Sequence, residues 1–184
     1  MSTLITNKVE ARDGHVLINN TGGNIVQVVY ARTDAISTYS VAATGDGTTV
    51  TDLDISITPT NANNRIICQW MINCEGSENI IFLIHRDGAL ITTPGEEGRN
   101  NVSNNRWVGY VSASYDANTA STPTNLFVAY SQIAGSTASR TYAPAVRSSN
   151  ANAYTLYLNR TLNNTGADSN ENMVSTAVIY EVVV

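Results

Sequence analysis

Catalysis by a Ser-His-Asp relay would have to use His15 or His85, the only two histidines of the 184-residue chain. His85 closes an apolar run just before Asp87-Gly88, the position of a polar residue at a strand end. No G-x-S-x-G elbow occurs, nor a glycine-rich loop running into Lys-Ser/Thr. Cys68 and Cys74 lack C-x-x-C spacing, and no His-x-x-x-His pair could hold zinc. The pairs Asp52/Asp54 and Glu96-Glu97 are the residue types of glycoside hydrolysis, but their setting is that of ordinary surface charge. One loop crowds oxygen ligands at Asn163, Asn164, Asp168, Asn170 and Glu171. Calcium takes six to eight oxygens, so Asp168, Asn170 and Glu171 are the metal candidates, although EF-hand spacing is missing. The expectation is a non-enzyme with no cofactor.

Composition narrows the partners. Net charge is −5, the one lysine is Lys8, and the arginines are scattered. Nucleic acid needs concentrated positive charge, so it is not an expected partner. No apolar run approaches the length of a membrane span, so membrane insertion is not expected either. The opening MSTLITNKVEARDG lacks the apolar core of a signal peptide. Charged residues are only 14%, and polarity comes from Asn, Ser and Thr. Among these stand tyrosines such as Tyr39, Tyr110, Tyr115 and Tyr130, which offer rigid amphipathic area for binding.

The elements that must position these residues are strands. Helical periodicity is nearly absent, and alternation by two is common. In Arg65–Glu75 the residues Ile66, Cys68, Trp70, Ile72 and Cys74 share one face, with Ile67 and Met71 breaking the alternation on the other. Six strand residues span about 20 Å, too far for Cys68 and Cys74 to pair within that strand, so both read as small buried hydrophobes. Further strands are expected at 24–32, 53–58, 79–86, 106–114, 125–133, 141–147, 153–160 and 174–184, with a hairpin turn at Asp87-Gly88. Turn-rich stretches separate them, among them 44–49 and 93–105. About eight to ten strands at this spacing indicate an all-β antiparallel sandwich or jelly roll.

Residues 1–23 read as a separate N-terminal arm, and 24–184 as the sandwich head. The arm's apolar residues Leu4, Ile5, Val9, Val16, Leu17 and Ile18 are too few for a core, so it should dock on something else. Strands 79–86 and 174–184 are apolar on both faces. A sandwich covers one face, and a subunit contact would cover the other. Ile81, Leu83, Tyr180 and Val182 are therefore the expected interface residues.

The segments STLITNKVEARDGHVLINNTGGNIVQVVYARTD, DLDISITPTNANNRIICQWMINCEG, FLIHRDGALI and STAVIYEVVV together carry a resemblance. The chain resembles the tail-fibre-like virion proteins of tailed phages of marine and cyanobacterial hosts. The resemblance implies a jelly-roll head like that of complement and tumour-necrosis-factor proteins, a homotrimer, and an arm that attaches to other virion proteins of the tail or capsid. Outward loops, with Asn101, Asn104, Asn105, Tyr115 and Asn118 as candidates, would bind a host-surface glycan. The same trimer could instead be a decoration protein cementing the capsid. Either way the expected location is the virion.

Overall fold

The computed structural model describes residues 8–10, 16–19, 23–76, 78, 80–98, 100–102, 106–113, 122–150, 152–163 and 170–184. For 8–10, 16–19, 100–102 and 106–107 it fixes the backbone alone. The strands among these residues are, in chain order, β1 (Lys8–Glu10), β2 (Val16–Asn19), β3 (Ile25–Thr33), β4 (Ser37–Val41), β5 (Thr48–Thr49), β6 (Ile55–Ile57), β7 (Arg65–Gly76) and β8 (Ile80–Arg86). They continue with β9 (Ala89–Leu90), β10 (Asn100–Val102), β11 (Arg106–Val108), β12 (Val111–Ala113), β13 (Thr124–Ile133), β14 (Arg140–Ser148), β15 (Tyr154–Leu158) and β16 (Ser175–Val182). A 3-10 turn, Thr51–Leu53, precedes β6.

The protein is all-β, with two six-stranded antiparallel sheets. In the β7 sheet, β7 lies between β13 on one side and β16 on the other, and β3 pairs with β16. Beyond the end of β16, β15 takes its place beside β7 and pairs with β4. In the β8 sheet, β8 lies between β12 and β14, β9 extends it by a hairpin, and β5 and β6 pair with β14. β1 with β2, and β10 with β11, form separate two-stranded ribbons.

The alternation along β7 holds. Ile66, Cys68, Trp70, Ile72 and Cys74 are all fully buried, in one core cluster with Phe82 and Ile84 of β8, Tyr142 and Val146 of β14, and Ile179 of β16. Each large apolar side chain withdrawn from water in this way stabilises the fold by about 1.5–3 kcal/mol. Trp70 also satisfies its indole N–H, which donates to the Leu53 carbonyl at 3.0 Å. Leu53 is thus buried where expected, but in the 3-10 turn rather than in a strand.

Two further boundaries differ from the sequence reading. The expected strand 106–114 breaks into β11 and β12 at Gly109-Tyr110. There the chain closes onto β8: Tyr110 N–H donates to the Phe82 carbonyl at 2.9 Å, and a Cβ on Gly109 would meet that carbonyl oxygen at 2.5 Å. The turn-rich 44–49 segment ends in β5, held to β14 by two residue pairs. The hairpin at Asp87-Gly88 is as expected, with φ of 54° and 78°, the left-handed pair that a two-residue turn needs.

Candidate interaction surface

The residues that could do chemistry are engaged in holding the fold. His85 is buried on the outer face of the β8 sheet. Its Nε2 donates to the Asp46 carbonyl at 2.9 Å, which leaves Nδ1 to accept the Thr49 hydroxyl at 2.8 Å. Both bonds tie the 44–49 segment down. Asp52 accepts the Tyr39 hydroxyl at 2.8 Å. Partial burial, and then the nearby Asp52, push the Asp54 carboxyl above its ordinary value. Glu96 accepts the Ile133 N–H at 2.8 Å, at the end of β13. Cys68 and Cys74 are free thiols, and burial pushes the Cys74 thiol up to about 12 and Cys68 higher still.

Of the metal candidates, Asp168 lies outside the described residues, Glu171 is exposed, and the half-buried Asn170 amide makes no hydrogen bond among the described residues. Among the described residues no cluster of three or more His, Cys, Asp or Glu could hold a metal. Among the same residues no helix is long and apolar enough to cross a membrane. His15, Leu4, Ile5, Asn104, Asn105, Tyr115 and Asn118 also lie outside the described residues. Val9 pairs with Ile18 across the β1–β2 ribbon, which also carries Val16 and Leu17. Asn101 pairs with Trp107 in the β10–β11 ribbon.

An exposed apolar surface lies on the outer face of the β7 sheet. Three rows of side chains cross it. Arg32, Thr176, Met71 and Phe127 form the first; Tyr30, Val178, Gln69 and Ala129 the second; Val28, Tyr180, Ile67 and Ser131 the third. Phe127 and Tyr30 are each 61% exposed, Val28 55% and Met71 40%. Val182, in the next row, is half-buried on the same face. A soluble monomer seldom shows a contiguous apolar patch above a few hundred Å² unless something binds there.

Of the four interface residues expected from sequence, Tyr180 and Val182 lie on this face. Ile81 and Leu83 are corrected. They are 7% and 0% exposed, packed in a second cluster with Leu90 and Ala145 inside the same chain. Gly47, at φ 93°, lets the 44–49 segment approach so closely that a Cβ there would sit 3.4 Å from the Leu83 side chain and 2.9 Å from the Val146 carbonyl oxygen. Hidden side chains offer no area to a neighbour, so the two-sided apolar pattern of β8 is met without a subunit contact.

Sequence reasoning missed Val28, Tyr30 and Phe127, but a signal existed. Ile67 and Met71, the two exceptions to alternation in β7, point into this outer face between β16 and β13. At the edge beyond β13 the face runs into a cleft of about 440 Å³. Ile67, Ala129 and Ser131 line its sheet side, and Gly95, Glu96, Glu97, Tyr110 and Tyr130 line the rest. Tyr110 meets Tyr130 edge to face at 5.7 Å and donates its hydroxyl hydrogen to the Glu97 carbonyl at 2.8 Å. Backbone N–H groups of Glu97 and Gly95 hold the exposed Glu97 carboxyl below its ordinary value.

The other end of the same face is closed. Asn73 and Glu75 point outward from β7 yet are buried. Leu162 N–H donates to Glu75, the Asn73 amide donates to the Val174 carbonyl at 2.7 Å, and Asn125 donates to Asn73 Oδ1 at 3.0 Å. Asn159, fully buried at φ 57°, donates to the Thr33 and Ala35 carbonyls and accepts the Ser175 hydroxyl at 2.6 Å. No known protein family matches this chain, and no curated protein is significantly similar to it.

Proposed function

We propose that this chain is a structural assembly protein: the homotrimeric jelly-roll head of a tail-fibre-like protein on a phage virion, carried on its N-terminal arm and binding a host-surface glycan through its loops. The observation that carries the assembly part is the uncovered apolar face of the β7 sheet. A face with Val28, Tyr30, Ile67, Met71, Phe127 and Tyr180 and so few charges resembles the core of a permanent interface. Permanent interfaces between soluble chains are most often between copies of one chain. The number three, the virion and the glycan come from the resemblance of the segments quoted above.

The strand order supports the jelly-roll reading. Take β3, β5 with β6, β7, β8, β12, β13, β14 and β16 as eight successive strands. One sheet then carries the sixth, third, eighth and first side by side, and the other the fifth, fourth, seventh and second. Successive strands so distributed wrap around one core as two interlocked keys. The arm root favours the attachment role, since Gly23 N–H donates to the Val183 carbonyl and Val183 N–H to that of Asn24. Gly23, at the foot of the arm, and Val183 therefore lie side by side at one end of the head.

Light scattering on purified protein tests the assembly. The expected mass is three times the 19.7 kDa of the chain, and Phe127→Asp should return the single-chain mass while keeping its β-sheet circular dichroism. A wild-type chain that stays monomeric at tens of micromolar overturns the assembly. Antibody labelling of intact virions then tests the location: label on the tail supports the fibre reading, and label over the head supports a capsid decoration protein instead.

A further inference from the structure

We infer that the cleft beside β13 binds a small primary alkylammonium ion, with its charged end at Glu97 and its carbon stem on Ile67 and Ala129. This site goes beyond the assembly proposed above and does not rest on it. At about 440 Å³ the cleft has the size of a small-molecule site. Ile67, Ala129 and Ser131 line its sheet side, and Tyr110 with the Gly95–Glu97 segment lines the other. Tyr110 packs edge to face at 5.7 Å on Tyr130, which is only 3% exposed. The aromatic side of the cleft is therefore anchored in the core before any ligand arrives.

The polar groups select the ligand. Both tyrosine hydroxyls have given their hydrogens away: Tyr110 to the Glu97 carbonyl at 2.8 Å, and Tyr130 between the Glu96 carbonyl and Gln132 Oε1, each at 2.8 Å. Glu96 accepts the Ile133 N–H through Oε1 at 2.8 Å. The Glu97 carboxyl accepts the Gly95 N–H at 3.0 Å, and backbone N–H groups hold it below its ordinary value, so it stays ionised. This side of the cleft thus offers acceptors and negative charge. A primary ammonium brings three donors and a positive charge, and the Tyr110 ring, 41% exposed, attracts the same cation. A ligand carboxylate would meet repulsion. Arg65 stands on the sheet side, its Nη1 3.4 Å from Ser131 Oγ, so the ligand's charge belongs at the Glu97 end.

Ligand-observed NMR titration of the full-length chain at neutral pH tests this with three probes of one stem length: n-pentylamine, 1-pentanol and pentanoate. Pentylamine should bind, pentanol should bind about fivefold more weakly, and pentanoate should not bind. Glu97→Gln should weaken pentylamine about fivefold and leave pentanol as it was, which also shows that the variant is folded. Glu171→Gln, which removes an exposed carboxylate elsewhere, should change neither. Equal affinity for the amine and the alcohol would overturn the site, and so would a Glu97→Gln chain that takes the amine as the wild type does. No binding of pentylamine at millimolar concentration would do the same. Light scattering keeps the two readings apart. A trimer that takes no amine refutes this site and leaves the assembly standing, and a monomer that binds it does the reverse.

Discussion

The outer faces of the two sheets start from the same problem and end differently. Each presents apolar side chains on the side away from the shared core. On the β8 sheet the chain covers them itself: Ile81 and Leu83 pack in one cluster with Leu90, and the 44–49 segment, held by His85, closes against Leu83. On the β7 sheet the described residues cover only the polar end, where Asn73 and Glu75 need partners. The apolar rows from Arg32 to Ser131 are left open. The difference follows from cost. A buried amide or carboxylate without a hydrogen bond is expensive within the single chain, so it must be satisfied before any assembly. An exposed valine or phenylalanine costs far less and can wait for a neighbour.

The comparison can be broken most forcefully at the covered face. Leu83→Ala removes a fully buried side chain from a small cluster, and the loss should be about 2–5 kcal/mol. Urea unfolding measures it. A loss below about 1 kcal/mol would mean that the cover is loose and that the two faces do not differ in kind. The next effect is at the closed polar end. Asn159→Ala removes the donors to the Thr33 and Ala35 carbonyls and the acceptor for Ser175. It also places alanine at φ 57°. The expected loss is about 2–3 kcal/mol. Asn159→Gly, which relieves the backbone but not the hydrogen bonds, should recover only part of it. Full recovery with glycine would make the cap a matter of backbone alone.

Much of this was legible in the sequence because strand periodicity reports burial directly. The inner row Ile66 to Cys74 could be read off one segment, and the Asp87-Gly88 turn off two residues. The placement of β8 was legible only by half. NIIFLIHR states that both faces are apolar, but not whether the cover comes from the same chain. That depends on Gly47 and Leu90, which approach Leu83 through tertiary contact. The short strand β5 was hidden for the same reason: Thr48 and Thr49 become a strand only because Ala145 and Val146 lie beside them. The open face was written as two irregularities, Ile67 and Met71, whose meaning appears once β16 and β13 flank them.

Acidity should separate the closures that hold the β7 sheet from the open face, which carries Arg32 but no carboxylate in its three rows. Glu181, fully buried at the arm end of β16, accepts from Thr60 N–H at 2.7 Å, Thr60 hydroxyl at 2.8 Å, Asn61 N–H at 3.2 Å and Asn64 Nδ2 at 2.7 Å. Burial alone would raise its carboxyl, but these bonds outweigh it and hold the group below its ordinary value. A lowered folded-state pKa means stability that is complete above the unfolded value of about 4.3 and is lost as pH falls through the folded value. Glu181→Gln should flatten that acid limb in a pH series of unfolding midpoints. An unchanged limb would assign acid sensitivity to another carboxylate.

The smallest effect on the chain should come from the most exposed aromatic, and it is the most telling. Phe127→Ala changes a side chain that is 61% exposed, so the stability of an isolated chain should move by no more than about 0.5 kcal/mol. If copies meet on this face, however, wild-type unfolding midpoints must rise with protein concentration, because association stabilises only the folded chain. In Phe127→Ala that rise should be weaker, while the low-concentration limit stays where the wild type has it. Leu83→Ala should do the reverse, lowering every midpoint by a similar amount and keeping the slope. Wild-type midpoints that ignore concentration would remove the reason for treating the open face as an interface. The contrast between the two outer faces would then be one of tolerance rather than of use.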